Sequence, residues 1–266
     1  MSGLSYRGQL PASARPEGAI ILRSAREVAL LREAGRIVAT VLDALGEVVG
    51  AGVTTAELNA AAERMIRAAG GVPTFKGYRG FPAATCISVN DEVVHGIPGP
   101  RRLQAGDIVS CDVGVTLGGY IGDGARTFPV EPAEPAVLRL LQVTREALAA
   151  GIAAAQPGRR VGDVSAAVQG LVEAAGCSVV RKFCGHGVGT SMHEPPEVPN
   201  YGTAGHGPRL RPGTVIAIEP MVNAGGHDVT VDANGWTVQT VDGGWSAHFE
   251  HTVAVTDAGC SVLTLP

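Results

Sequence analysis

Five side chains able to bind a metal ion or move a proton stand in stretches whose neighbours disfavour exposure to water. Asp112 lies within Ile108-Val109-Ser110-Cys111-Asp112-Val113-Gly114-Val115, and Asp123 follows 11 residues later, beyond Gly118-Gly119. Apolar runs on either side of a glycine pair read as a β-hairpin. With the turn near Leu117-Gly118, the two carboxylates fall opposite or diagonal to one another on one face. Like charges so placed destabilise a sheet unless a cation lies between them. An Asp turned to solvent would explain the pair as well, but the apolar run around Asp112 argues for burial. A buried carboxylate is paired or metal-bound.

His186 sits among the glycines of Cys184-Gly185-His186-Gly187-Val188-Gly189. His193, seven residues on, shares a strand face with it only after a bend. Two histidines at this spacing are a weak signal, because a single histidine is more often a hydrogen-bonded core residue. Glu219 closes Val215-Ile216-Ala217-Ile218-Glu219, and Glu250 lies in His248-Phe249-Glu250-His251-Thr252-Val253. Glutamate is rarely buried alone, and neither flank offers Lys or Arg. Two divalent cations would neutralise the four carboxylates. Oxygen-rich ligation with one imidazole suits Mn, Fe, Co or Zn rather than a structural thiolate zinc site. Two such ions a few ångströms apart can hold a bridging hydroxide as nucleophile.

Positioning these groups requires a frame, and the sequence outlines it twice. Residues 1–18 read as a flexible N-terminal arm and 19–266 as a single catalytic domain. Ser24 with Glu27 forms a capping-box pattern ahead of a helix over 25–50. Thr54 or Thr55 caps a second helix through Ala69, stopped by Gly70-Gly71. A third helix follows Pro135 and ends near Pro157-Gly158; Asp163 opens a fourth, stopped at Gly176. Gly52–Gly70 aligns without a gap onto Gly158–Gly176, 106 residues later. Two similar halves, 19–130 and 131–266, are expected about a pseudo-two-fold axis, joined by a linker inside 130–136. Strand-rich stretches at 84–95, 107–130, 178–193 and 214–256, without regular β–α alternation, give an α+β fold.

Composition removes several classes. The 266 residues carry 37 glycines, 17% charged residues and a net charge of −4. Low charge with ordinary apolar content argues against disorder, and the glycines lack the three-residue period of collagen. Nothing basic enough to bind nucleic acid specifically stands out, and no apolar run approaches a membrane span. The N-terminus lacks a secretory h-region. Five cysteines, odd in number and with no C-x-x-C pair, read as reduced thiols of a cytoplasmic protein.

The order Asn90…His95-Gly96-Ile97-Pro98, Asp112-x10-Asp123, Gly185-His186-Gly187-x-Gly189…His193-Glu194-x-Pro196, Ile218-Glu219-Pro220-Met221 and Phe249-Glu250-His251-Thr252 resembles type I methionine aminopeptidases, over residues 20–260. The resemblance implies a pita-bread fold, two pseudo-symmetric α/β halves around a central antiparallel sheet. It implies two divalent ions (Co, Mn, Fe or Zn) on Asp112, Asp123, His186, Glu219 and Glu250, with metal-held water as nucleophile. Glu219 would be the general base, His193 would stabilise the oxyanion, and His95 would contact the scissile peptide. Phe75, Tyr78, Phe81, Cys86, Met192 and Trp236 match the methionine pocket; for Tyr78 and Trp236, ordinary core packing is an equally fair reading. Asn90 and Ser246 match a monovalent-cation position.

The implied activity is removal of initiator methionine from nascent polypeptides with a small second residue. The partners implied are nascent N-termini and the ribosome near its exit tunnel, with the chain acting as a monomer. Some positions depart from the family pattern. Met192 stands where an aromatic is usual, and Glu92 where a hydrophobic residue is common. The arm lacks zinc-finger spacing, and the 25 residues between His193 and Glu219 leave no room for the type II insertion. A proline-specific aminopeptidase of the same fold, or a non-catalytic binding paralogue, are the alternatives.

Overall fold

The structure, a computed structural model, describes residues 19–266, so the expected arm over 1–18 lies outside the described residues. Helix α1 (Ala25–Val48) starts as its sequence requires: Ser24 Oγ accepts the Glu27 N–H, and the Glu27 carboxylate accepts the Ser24 N–H. Helix α2 (Thr55–Ala68) repeats the device with Thr54 and Glu57, so Thr54 rather than Thr55 is the cap. Helix α3 (Pro135–Ala154) has proline at its first position, where a missing N–H costs nothing. Helix α4 (Val161–Ala174) begins two residues ahead of the expected Asp163. Asp163 is the third helical residue, and its carboxylate reaches back to the Arg160 N–H at 2.8 Å. An acidic residue there marks a helix start as clearly as one at the cap position, which explains the offset.

The aligned glycines share a backbone conformation. Gly52 and Gly158 have φ of 90° and 86°; Gly70 and Gly176 have 78° and 79°. All four lie in the left-handed region that glycine adopts at no steric cost.

The strands are β1 (Val72–Pro73), β2 (Thr85–Val89), β3 (Glu92–Val94), β4 (Ile108–Leu117), β5 (Tyr120–Pro129), β6 (Ser178–Val179), β7 (Gly185–Gly187) and β8 (Glu194–Val198). There follow β9 (Val215–Ile218), β10 (Met221–Asn223), β11 (Val229–Val231), β12 (Val238–Thr240), β13 (Ser246–His248), β14 (His251–Thr256) and β15 (Gly259–Val262). One sheet joins the β4–β5 hairpin to β1 and β2; another runs β15-β14-β9-β7-β8. Two three-stranded sheets, β13-β10-β6 and β11-β12-β3, complete the framework. Every pairing is antiparallel. Val38, Leu42, Leu45, Leu58 and Ile66 of α1 and α2 bury against Val109 and Val113 of β4. Leu141, Leu148, Val164 and Val168 of α3 and α4 bury against Ile216, Ile218 and Val253.

Strand β5 and the 248–252 segment meet through threonine hydroxyls. Thr252 Oγ1 donates to the Asp123 carbonyl at 2.8 Å and accepts the Asp123 N–H at 3.2 Å. Thr127 Oγ1 does the same for the carbonyl and N–H of His248, at 2.8 and 2.9 Å. Between them the Glu250 N–H donates to the Ala125 carbonyl at 2.9 Å. Two short side chains thus close a joint where the strands are too far apart for a full ladder. Thr252→Val keeps the shape and leaves buried backbone groups of Asp123 unpaired, at about 1–3 kcal/mol. Its melting temperature should fall by roughly 2–12 °C; an unchanged midpoint by circular dichroism would show that the joint does not depend on this hydroxyl.

Candidate active site

The hairpin register settles how the first two carboxylates meet. Asp112 pairs with Ala125 and Asp123 with Gly114, which makes the aspartates diagonal neighbours on one face. In the other sheet His251 pairs with Ile218, so Glu250 and Glu219 occupy the next step of that register. The Glu250–Ala125 hydrogen bond brings the two pairs together. His186 comes from the short β7, held between β8 and β9. Its Nε2 lies 3.5 Å from Glu219 Oε1 and 3.7 Å from Asp123 Oδ2. Its Nδ1 is 2.9 Å from the Gly187 carbonyl; donating there leaves the Nε2 lone pair aimed inward.

Asp123, His186 and Glu250 each offer a ligand atom within 4.8 Å of the others. Among the described residues no lysine or arginine forms an ion pair with Asp112, Asp123, Glu219 or Glu250. Asp112 Oδ1, Asp123 Oδ1 and Glu250 Oε1 are buried without any hydrogen-bond partner. Burial pushes the Asp123 carboxyl up to about 7. Burial and mutual repulsion raise Asp112, Glu219 and Glu250 well above the usual carboxylate range. Burial lowers His186 and His95 to about 4, with His193 adding repulsion, so both imidazoles are neutral. Orphaned carboxylate oxygens beside a neutral, oriented imidazole are the donor set that divalent cations satisfy.

Above this floor opens a cavity of about 320 Å³. Phe75, Tyr78, Phe81, Cys86, Met192 and Trp236 all line it, as do His95 and His193. Gly187 pairs with Glu194, so β7 and β8 form a hairpin that doubles the chain back between them. That bend brings the His186 and His193 rings to 4.2 Å between centroids. Tyr78 stacks on His193, and its hydroxyl lies 2.8 Å from His193 Nδ1. Burial keeps the Cys86 thiol protonated beside Asp112. Asn90 and Ser246 lie away from the cavity, joined by a 2.8 Å bond from the Ser246 N–H to the Asn90 carbonyl. All five cysteines are free thiols.

Other residues at the site were not picked out from the sequence. His248 is buried, its Nε2 unpartnered and 3.7 Å from Glu219 Oε2; alternation with Glu250 two positions later could have placed both on one face. Phe183 packs edge-on against His95 at 5.7 Å, and Arg79 and Lys182 stand at the rim. The glycines of the region also serve differently from their simplest reading, close approach to ligands or substrate. A Cβ on Gly122 would strike the α1 backbone, one on Gly114 would strike Phe75, and one on Gly189 would strike Arg23. Gly185 and Gly187 abut carbonyls of the neighbouring strands, which lets β7 fit between them. Their role is packing the frame rather than baring the site.

Comparison with known proteins places this geometry. Residues 29–257 match the model of metallopeptidase family M24. Methionine aminopeptidase 1 of Bacillus subtilis is 51% identical over 245 residues, covering 92% of this chain and 99% of that one. The methionine aminopeptidase of Clostridium acetobutylicum is 47% identical, covering 92% and 99%. The crystal structure of the Thermotoga maritima methionine aminopeptidase superposes with a TM-score of 0.92 at 42% identity, over 93% of this chain and all of that one. The Pyrococcus furiosus prolidase, 22% identical with a TM-score of 0.73 over 92% of this chain and 66% of that one, shares the fold. Diagonal aspartates, paired glutamates and an inward imidazole on this pita-bread frame leave one assignment: the chain belongs to metallopeptidase family M24, among the methionine aminopeptidases.

Proposed function

We propose that the chain hydrolyses the peptide bond after an N-terminal methionine, in polypeptides whose second residue is small. The observation that carries this reading is the joining of two features in one cavity: a floor of unpartnered carboxylates, and walls of aromatic rings, a thiol and a thioether. The walls suit an unbranched thioether side chain. Asp112, Asp123, His186, Glu219 and Glu250 would hold two divalent ions. Such ions polarise a carbonyl and bring the pKa of bound water towards neutrality. Glu219, whose burial among carboxylates raises its proton affinity, accepts the proton of the attacking water. In the tautomer with its proton on Nε2, His193 accepts the Tyr78 hydroxyl at Nδ1, 2.8 Å away, and Nε2–H is a donor to the oxyanion. His95, neutral and packed between Phe183 and Trp236, stands beside the departing amine. The substrates are then nascent N-termini.

A direct comparison tests the reading. Metal-loaded protein should cleave Met-Ala-Ser and leave Xaa-Pro peptides intact; the reverse would assign a proline-specific enzyme. Asp112→Asn should lower kcat/KM for Met-Ala-Ser by at least about a hundredfold, because a ligand is lost, while far-ultraviolet circular dichroism stays unchanged. Full turnover in that variant would remove Asp112 from the site.

Chelation gives a second test through pH. The folded Asp123 carboxyl titrates near 7 and an unfolded one near 3.8, so the folded chain holds the extra proton. That contribution to stability is complete below about pH 4 and is lost as the pH rises through 7. Buried neutral histidines oppose it only up to their unfolded pKa of 6.5, above which their contribution is constant. Metal-free protein should therefore melt at progressively lower temperature as the pH rises from about 6.5 to 8. Added Mn or Co should abolish the decline. A flat profile for the chelated protein would contradict the burial of four carboxylates without cations.

A further inference from the structure

The cavity that ends in four carboxylates at its floor has two exposed cations in its lining. Arg79 and Lys182 both line it, both are exposed, and neither forms an ion pair among the described residues. Arg79 follows Tyr78, with its guanidinium 5.4 Å from that ring's centroid, and Tyr78 bonds His193. Lys182 precedes Phe183, whose ring packs against His95. Each histidine beside the reacting peptide thus has an aromatic neighbour and, one residue further out, an unpaired positive charge. The carboxylates lining the cavity are Asp112, Asp123, Glu219 and Glu250, all at the floor.

The backbone at Arg79 adds a second observation. Its φ of 49° lies in the left-handed region, which side chains other than asparagine and glycine rarely adopt. Gly77 and Gly80, with φ of 88° and 90°, flank it in the same turn. A glycine would hold this turn with less strain, yet a long cation occupies it and projects over Tyr78.

We infer that Arg79 and Lys182 read the charge of the polypeptide as it leaves the cavity, and select chains with acidic side chains at the third and fourth residues. This rests on the aminopeptidase reading and narrows its substrate class. An extended chain advances about 3.3–3.6 Å per residue, so the residues just beyond the scissile bond leave past the exposed lining that carries the two cations. Aspartate or glutamate there meets positive charge, and lysine or arginine meets like charge. The contacts are made equally in the ground state and the transition state, so the selection falls on KM rather than kcat.

The test uses metal-loaded protein and C-terminally amidated peptides: Met-Ala-Asp-Asp, Met-Ala-Ser-Ser and Met-Ala-Lys-Lys. The expected order of kcat/KM is acidic, neutral, basic, with steps of about threefold to tenfold at low salt, as two exposed ion pairs would give. In about 0.5 M salt the steps should shrink towards one. Arg79→Asn, which tolerates the left-handed backbone, and Lys182→Gln should each narrow the acidic-to-basic ratio, and together should remove it. The ratio is the readout, so any change these variants cause in neutral-peptide turnover does not confuse it. Equal rates for the three amides, or a ratio unchanged in the double variant, would overturn the inference. An advantage seen only with free-acid peptides would assign the cations to a terminal carboxylate and overturn side-chain selection. Cleavage of none of the peptides would overturn the aminopeptidase reading itself, and the inference with it.

Discussion

Gathering Asp112, Asp123, Glu219 and Glu250 around one cavity, Asp123 and Glu250 buried and the other two half-buried, withdraws from water four groups that repel one another, and among the described residues no lysine or arginine is paired with them. Each carboxylate withdrawn from water loses several kcal/mol of hydration unless something replaces it. Protons can do so, which is why all four carboxyls are pushed upward. Divalent cations can do so more completely, because one ion meets several oxygens at once. The same requirement explains the neutral histidines. A protonated imidazole would neutralise a carboxylate, but it would also give up the lone pair that makes it a ligand.

Such a cluster persists only on a rigid support, and the support is built the same way on both sides. Asp123 and His248, 125 positions apart, each have their backbone N–H and carbonyl closed by one threonine hydroxyl, Thr252 and Thr127. Those threonines are also 125 apart. The helix pairs repeat at 106, so the longer offset places the extra chain of the second unit between its helices and its strands. The β4–β5 hairpin and the β9–β14 strand pair, each contributing two carboxylates, meet at a joint that is itself symmetric. The hydroxyl bridges join β5 to the segment that carries Glu250.

Which parts of this were legible in the sequence follows from the range of the interactions involved. The capping box at Ser24 is local, and it showed; for the second helix the cap was narrowed to Thr54 or Thr55, and only the structure shows the box at Thr54. The hairpin was local too, but its register was not, because moving the turn one residue along the chain, from Leu117-Gly118 to Gly118-Gly119, shifts opposite neighbours to diagonal ones. Asp163 misled by two residues because an acid at the third helical position resembles one at the cap. The candidate acids were conspicuous because charged residues stand out in apolar runs. His248 was not, since a histidine beside Phe249 reads equally as core, and only its distance from Glu219 distinguishes it. Glycines presented the opposite difficulty: their abundance was plain, but whether a bare backbone faces a ligand, a helix or Arg23 is decided by residues far away in sequence.

Residues 188–193 reach the site outside any strand; Val188 and Gly189 are held by backbone bonds to Val215 and Ile121, and the rest by a buried ion pair. Arg23 donates to both oxygens of Glu194, at 2.7 and 2.5 Å, while Glu194 Oε1 also accepts the Thr190 and Ser191 N–H groups at 3.0 Å. Arg23 is itself fixed, its N–H bonded to the Gly213 carbonyl at 2.7 Å. Attraction within such a pair is largely offset by the loss of hydration, so its net contribution to stability is small. Its geometric consequence is not. With both carboxylate oxygens taken, the backbone from 190 to 194 has one arrangement, and that arrangement points Met192 into the cavity and stacks His193 on Tyr78. A methionine has three rotatable bonds and would blur a pocket whose backbone also moved. Here the flexible side chain is mounted on a held backbone, in the same cavity as the rigid rings of Phe81 and Trp236, so its rotation leaves the position of His193 undisturbed.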